Sequence, residues 1–336
     1  MKKYFFVIIA IAALATTRVS AQGCGGAASE EGLKMFGFLQ SQYEHHFTDP
    51  SKNSFTFERA RIGAMGKIPY DFSYYVVAEL SPFISSNPYL LDAFITYDRF
   101  NFARLSVGSF KTPFGMEANT ACSGLMTVYR STATMQMVAP FRDMGMMLLG
   151  GNDTTFISYQ LGLMNGGGLL KFDNNKKKDI VARVVLHPWD FLYVGGSFRH
   201  GYPSYLNDKD TRTTIGGELK LKYRGLTVLG EYILDNGDYN RDLGGGCSGN
   251  LIELGEDRSG GYVTLAYMTK WNVEPVFMYD FFDSGNASGY KESNMTFGVN
   301  YFFNDWTRLQ LNYVYRGESP IEVPSDEIVV QVQVKF

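Results

Sequence analysis

The sequence predicts an all-β transmembrane barrel of about 16 antiparallel strands, with short periplasmic turns and long external loops. Three observations predict this fold. Apolar and polar residues alternate along most of the chain, the joints between strands alternate in length, and the final strand ends on an aromatic residue. The composition agrees, because 26 Phe, 22 Tyr and 36 Gly with only 11 Pro are typical of many strands and turns.

The alternation has a period of two, so each segment has one apolar face and one polar face. The clearest segments are 91–98, 215–223 and 309–315. In the first segment the predicted outer face consists of Leu91, Ala93, Ile95 and Tyr97, opposite Asp92, Phe94, Thr96 and Asp98. A soluble sandwich would alternate in the same way, so the choice of a barrel depends on the joints and on the last strand.

The joints predict where the loops lie. Tight joints such as Arg224-Gly225 and Lys270-Trp271 alternate with long polar joints such as 44–54 and 166–178. Strict alternation brings every long loop to one end of an antiparallel sheet, as in outer-membrane barrels. A closed ring also leaves no sheet edge exposed to lipid.

The last strand predicts the location. Its apolar face consists of Ile328, Val330, Val332, Val334 and Phe336. A final strand of this kind resembles the assembly signal of outer-membrane barrels, so we expect the barrel assembly machinery to bind it. The outward face would contact outer-membrane lipid, and the predicted location is the bacterial outer membrane.

The first residues predict export. Lys2 and Lys3 precede an apolar run over 4–15, and Val19-Ser20-Ala21 is a small-residue cleavage site. We therefore expect a signal peptide at 1–21, a periplasmic lead-in at 22–32 and one barrel domain at 33–336. No later stretch is long and apolar enough to predict a helical membrane span.

Charge and cysteine content exclude several functions. The formal net charge of −3 gives no indication of nucleic-acid binding. Cys24, Cys122 and Cys247 are far apart and odd in number, which argues against a disulfide framework and a cysteine metal site. No cofactor is predicted.

The inward faces are predicted to carry the function. A ring of about sixteen strands leaves a water-filled pore, through which small inorganic or organic ions could diffuse. Arg59 and Arg61 share one face, and two like charges in a pore favour anions. Lys220, Lys222 and Arg308 are further predicted pore-lining cations.

The segment 111–142 is the longest connection, and it is far longer than a hairpin loop. It is rich in Met, which fills irregular gaps, so we interpret it as a constriction loop folded into the lumen. Lys111, Glu117, Arg130 and Arg142 are its candidate site residues. Arg142 could instead form a structural ion pair, which would remove it from the solute path.

Several motifs resemble one known family. The run Val107-Gly108-Ser109-Phe110-Lys111-Thr112-Pro113-Phe114-Gly115 resembles the G-x-F-K-x-P-F-G strand end of the phosphate-selective porin O and P family. Matches elsewhere include Phe57-Glu58-Arg59-Ala60-Arg61 and Phe141-Arg142-Asp143-Met144-Gly145. The resemblance implies a sixteen-stranded homotrimeric porin that prefers anions, and the family's name adds phosphate as one such anion. The mature chain is acidic, so the family name does not by itself identify the solute.

Two other classes of function stay open. One is a structural or adhesion barrel of the outer membrane. The other is an outer-membrane hydrolase, which needs a nucleophile beside a base. The four histidines are His45, His46, His187 and His200, and their sequence neighbours give no such pair. We therefore expect no enzyme, no catalytic residue and no metal site.

Overall fold

The computed structural model describes residues 33–48, 50–203, 209–239 and 252–336. Sixteen strands form one closed antiparallel barrel, in which β1 pairs with β16 and each other strand pairs with its sequence neighbours. The predicted barrel is confirmed. The predicted signal peptide and lead-in lie outside the described residues. The strands are β1 (Lys34–His46), β2 (Lys52–Ile68), β3 (Phe72–Glu79), β4 (Tyr89–Phe100), β5 (Ala103–Lys111), β6 (Arg142–Gly150), β7 (Ile157–Met164), β8 (Asp179–Trp189), β9 (Leu192–Gly201), β10 (Arg212–Tyr223), β11 (Leu226–Gly237), β12 (Asp257–Tyr267), β13 (Val273–Asp283), β14 (Lys291–Phe302), β15 (Thr307–Ser319) and β16 (Glu327–Lys335).

The strands have an apolar outer face and a polar inner face. Strand β14 is the clearest case, since Phe297 and Val299 are exposed while Asn294, Thr296 and Asn300 are buried. A soluble protein has the opposite arrangement. An exposed apolar band around a polar interior is the pattern of barrels that span a lipid bilayer.

Four register shifts interrupt the described strand ladders, and two of them place Glu58 and Leu91 in buried positions. Between β1 and β2, Gln40 pairs with Arg59, whereas the next residue, Ser41, pairs with Phe57. Glu58 of β2 is therefore an extra residue, and its side chain is buried on the inner face beside Arg59. A second register shift, opposite Val77 and Ala78 of β3, leaves Leu91 of β4 fully buried. The prediction that Leu91 lies on the outer face was wrong, because a strict period of two does not include bulges.

The first joint is shorter than predicted. Strands β1 and β2 continue their ladder through Glu44–Ser54 and His46–Lys52 pairs, so 44–54 is not a long loop. His45 and His46 are therefore strand residues. The joint 47–51 is no longer than the joint 268–272, and the alternation of joint lengths is not strict.

The barrel closes between its first and last strands. The amide of Gly37 donates to the carbonyl of Phe336 at 2.9 Å, and the amide of Phe336 donates back at 3.0 Å. A Cβ atom on Gly37 would lie 2.5 Å from the Phe336 ring, so only glycine lets the ring cover this closure.

The helical elements of the described residues lie in the connection between β5 and β6, which we call the 112–141 segment. They are α1 (Met116–Asn119), a 3-10 turn (Cys122–Gly124) and α2 (Thr132–Met137). Within the described residues, no helix combines the length and apolar character needed to cross a membrane.

Candidate functional site

The 112–141 segment packs against side chains from the inner faces of the strands. Phe114, Ala133 and Met137 are almost completely buried and join a core cluster with Ile233 and Phe282 of the barrel wall. Met116 packs in a second cluster with Tyr262 and Met278. The prediction that methionines fill gaps here is confirmed for the methionines in these clusters.

Side chains that are mostly neutral amides hold the middle of the segment. Residues 122–128 are bonded mainly through their backbone to strands β1 and β14–β16. Three amides donate to segment carbonyl groups: Gln333 to Ser123 at 3.2 Å, Gln310 to Met126 at 3.1 Å and Asn300 to Met126 at 2.9 Å. Asn312 accepts from the amide of Val128 at 2.8 Å. Such bonds replace the strand partner that an extended backbone would otherwise need.

Charged side chains hold the last part of the segment, residues 131–139. Asp280 accepts from the amide of Thr132 at 3.0 Å, and Glu292 accepts from its hydroxyl at 2.9 Å. At the other end of α2, the guanidinium groups of Arg199 and Arg212 donate to the carbonyl of Ala139 at 3.1 and 2.7 Å. Carboxylates at the start and cations at the end of a helix also match its dipole.

Glu117 joins α1 to α2. Its carboxylate accepts from the amide and hydroxyl of Ser131, the latter at 2.6 Å, and Ser131 in turn caps α2. Burial raises the pKa of Glu117, and the hydrogen bonds from Ser131 and Thr134 only partly oppose this shift.

The two arginines predicted from β2 are inward, buried and paired. Arg59 lies 3.0 Å from Glu58 and donates to Gln40 at 2.9 Å. Arg61 donates to Glu79 at 2.7 Å and to the Cys122 thiol at 3.1 Å. Glu58 was missed as a partner because its inward position depends on the bulge.

The other charged residues predicted in 111–142 are also bonded. Lys111 donates to three carbonyl groups, those of Ala118, Asn119 and Thr120, at 2.9–3.3 Å. Arg130 donates to the carbonyl groups of Glu117 and Thr120. Arg142 forms two hydrogen bonds with Asp92, at 2.9 and 3.0 Å. The structural ion pair considered for Arg142 is therefore present.

The remaining predicted cations separate into two groups. Arg308 is buried and donates to the carbonyl of Leu125 at 2.8 Å, so it belongs with the segment. Lys220 is half-buried, with its ammonium 4.6 Å from the Tyr193 ring. Lys222 is exposed near the joint 224–225. The structure does not bring these two lysines to the segment.

Two cavities lie on opposite sides of the segment. The first, of about 570 Å³, reaches residues 44–48 and is lined by residues 129–136 of the segment. Its charged lining is Glu44, Glu58, Arg59, Arg130, Glu292, Arg316, Glu318 and Glu327. The second, of about 300 Å³, reaches residues 36–38 of the same strand and contains Arg61, Asp92, Lys111 and Arg142.

The field between these cavities is positive at Cys122. Burial by itself raises the pKa of this thiol. The guanidinium groups of Arg59, Arg61 and Arg130 and the ammonium of Lys111 act in the opposite direction, and the pKa lies well below its usual range. A site that stabilises a thiolate also stabilises other anions.

The histidines form neither a complete catalytic triad nor a metal centre. Ser158 Oγ lies 3.2 Å from His187 Nε2, but the buried Nδ1 of His187 has no hydrogen-bond partner in the described part of the chain. The acid that orients the base in a triad is therefore missing there. Among described residues, no group of three or more His, Cys, Asp or Glu side chains could hold a metal ion.

The neutral inner residues that bond to the segment were not among the predicted site residues. Alternation places Gln310, Asn312 and Gln333 on polar faces, so it could have identified them as inward. Their partners lie 184 to 210 residues away in sequence, as for Val128 and Asn312. A local pattern contains no signal for such contacts.

Solved structures with a similar fold include bacterial outer-membrane proteins and porins. Salmonella typhi OmpF in complex with daunomycin is 13% identical, with a TM-score of 0.68, over 91% of this chain and 98% of that chain. An anion-selective porin from Comamonas acidovorans is 12% identical, with a TM-score of 0.67, over 91% and 99% of the two chains. The trimer form of OmpT from Vibrio cholerae is 13% identical, with a TM-score of 0.62, over 91% and 99%.

No curated protein matches this chain. At these identities the similar structures show the fold alone. The model of the family phosphate-selective porin O and P matches residues 36–267, which is more than half of the chain. The chain is therefore a member of the phosphate-selective porin O and P family, in the bacterial outer membrane.

Proposed function

We propose that this protein is a porin through which small hydrophilic solutes diffuse passively. The observation that carries the proposal is the polar inner face of a closed sixteen-stranded barrel, illustrated by buried Asn294, Thr296 and Asn300. Barrels of this size are wide enough to contain water. Membership of a porin family supports the same function.

The 112–141 segment is the constriction in this proposal. Its bonds to β1 and β14–β16 at one part, and to Asp280, Glu292 and Arg212 at the other, support a fixed position inside the pore. A segment with this many partners is expected to set the size limit of the pore without opening and closing during transport.

The proposed ion preference is a modest one for anions. Arg59, Arg61, Arg130 and Lys111 together produce the positive field at Cys122. Because Arg59 and Arg61 lie beside Glu58 and Glu79, part of their charge is neutralised and strong selectivity is not expected. Phosphate is then one of several anions that the pore would admit.

Two further features complete the proposal. The long joints 112–141, 165–178 and 238–256 share one end of the barrel, and we assign this end to the cell exterior by analogy with other barrels. We also infer a homotrimer, as the trimer form of the similar Vibrio cholerae protein suggests.

Conductance in planar bilayers tests the function. Refolded protein should form channels, and reversal potentials in a salt gradient should give an anion-to-cation permeability ratio somewhat above one. The double variant Arg59→Glu and Arg61→Glu should lower this ratio, while Lys222→Glu, far from the segment, serves as a control. Well-folded protein without any channel activity would rule out a porin.

A further inference from the structure

The smaller cavity has an aromatic wall on the inside of the barrel. Rings from β1, β3, β4 and β5 follow one another along this wall. Phe36 and Tyr75 have ring centroids 5.2 Å apart, Tyr75 and Phe94 are stacked at 5.2 Å, and Phe94 meets Phe110 edge-on at 6.0 Å. These four side chains line the cavity.

An aromatic row is unusual for the inner face of a porin, which is normally polar. Gly63 on the intervening strand β2 makes it possible, because a Cβ there would lie 2.5 Å from the Phe36 ring. Phe36, Tyr75 and Phe94 are only partly buried. Apolar surface left open to water in a cavity is a common mark of a ligand site.

Charged groups lie beside the rings. Arg61 pairs with Glu79 and Arg142 pairs with Asp92, while Lys111 is bonded to neutral carbonyl groups. The Cys122 thiol lines the same cavity. When this thiol is protonated, the three cations and two carboxylates have one net positive charge, so the set is complementary to a ligand with a single negative charge.

A polar acceptor completes the lining. Gln160 lines the same cavity, and its Oε1 atom is buried without a hydrogen-bond partner in the described part of the chain. A buried acceptor that stays unsatisfied costs free energy, and a ligand with a hydroxyl substituent would satisfy it.

We propose that this cavity is a binding subsite for small aromatic monocarboxylates. The ring of the ligand stacks on Tyr75 and Phe94, and its carboxylate faces Lys111 and Arg142. A cavity of about 300 Å³ is large enough for one substituted benzene ring. The inference deepens the proposed function, since it rests on a porin and names a class of solute that would dwell beside the constriction.

Equilibrium binding tests the subsite without depending on conductance. Calorimetric titration of the refolded full-length protein with benzoate should show one saturable site per chain, whereas acetate should not bind there. Phe94→Leu keeps an apolar side chain but removes the ring, and it should weaken benzoate binding about five- to tenfold. Phe297→Leu, on the exposed outer face, is the matched control and should leave binding unchanged.

A second variant and a folding assay distinguish lost binding from misfolding. Tyr75→Leu should weaken benzoate binding to a similar extent, and both variants should keep the heat-resistant mobility of a folded barrel on gels. Equal binding of benzoate and acetate, or benzoate binding that folded Phe94→Leu and Tyr75→Leu both retain in full, would overturn the subsite.

Conductance separates this inference from the porin function. In a conducting wild-type channel, benzoate should reduce the chloride current at concentrations where acetate does not, and Phe94→Leu should need more benzoate for the same block. Saturable benzoate binding by a folded protein that does not conduct would retain the subsite and reject the porin. A conducting protein that binds no benzoate would reject the subsite and retain the porin.

Discussion

Two stretches of the 112–141 segment are held by different chemistry. Residues 122–128 are bonded mostly by neutral amides such as Gln310 and Asn312. Residues 131–139 are bonded by charged groups such as Asp280 and Arg212. Each neutral bond contributes about 1 kcal/mol and is independent of pH. Buried charges depend on one another, because removing one leaves its partner without compensation.

The largest effect is expected for Asp235→Asn. Asp235 is fully buried and lies 2.8 Å from both Arg212 and Arg258, so its loss leaves two buried cations close together. We expect a loss of about 3–5 kcal/mol in the free energy of unfolding, measured by urea titration in detergent.

The control for this variant is Asp283→Asn, which breaks an exposed ion pair with Lys291. Exposed pairs contribute only about 0–1 kcal/mol. If the two variants lose similar stability, the charged part of the segment does not depend on the buried network.

A change in pH is expected to have a smaller effect on the free energy of unfolding. Because the pKa of Glu117 is raised in the folded chain, the folded state binds this proton more tightly than the unfolded state. The stabilisation is present below the usual glutamate range and is lost as the pH rises through the raised pKa. Urea titrations from about pH 4 to about pH 8 should show this decline, and Glu117→Gln should reduce it.

The control for the pH dependence is Gln310→Leu, which affects residues 122–128, the stretch that is held by neutral amides. This variant removes one of two donors to the carbonyl of Met126, because Asn300 remains. We expect a loss of about 1 kcal/mol that is the same at every pH. A loss that changes with pH in step with Glu117 would mean that the two parts act as one unit.

The smallest effect is expected for Lys220→Met. Lys220 lies over the Tyr193 ring and away from the segment. Replacing it should leave both single-channel conductance and the free energy of unfolding almost unchanged. A large change in conductance would show that the narrowest point is not formed by the segment.

The sequence predicts the barrel well because a strand repeats every two residues, and this repeat is local. Residues such as Phe297 and Asn300 can be assigned to a face from their neighbours alone. The inward position of Arg59 and Arg61 follows from the same rule. The rule fails at Glu58 and Leu91, because a bulge depends on the partner strand.

The partners of the inward charges could not be predicted. Arg142 and Asp92 are separated by 50 residues, and Arg61 and Glu79 by 18. Which acid meets which cation depends on strand register and on the path of the 112–141 segment. The apparent pair of like charges at Arg59 and Arg61 is therefore two ion pairs.

The contact between Gly37 and Phe336 has a consequence for folding. The first and last strands bring together residues as far apart as Gln40 and Gln333, which are separated by 293 positions. Pairing over such a distance carries the largest loss of chain entropy of any ladder in the barrel. We expect the ring to remain an open sheet until the other fifteen ladders have formed. We therefore expect the pairing of β1 with β16 to limit the rate at which the barrel inserts into the membrane.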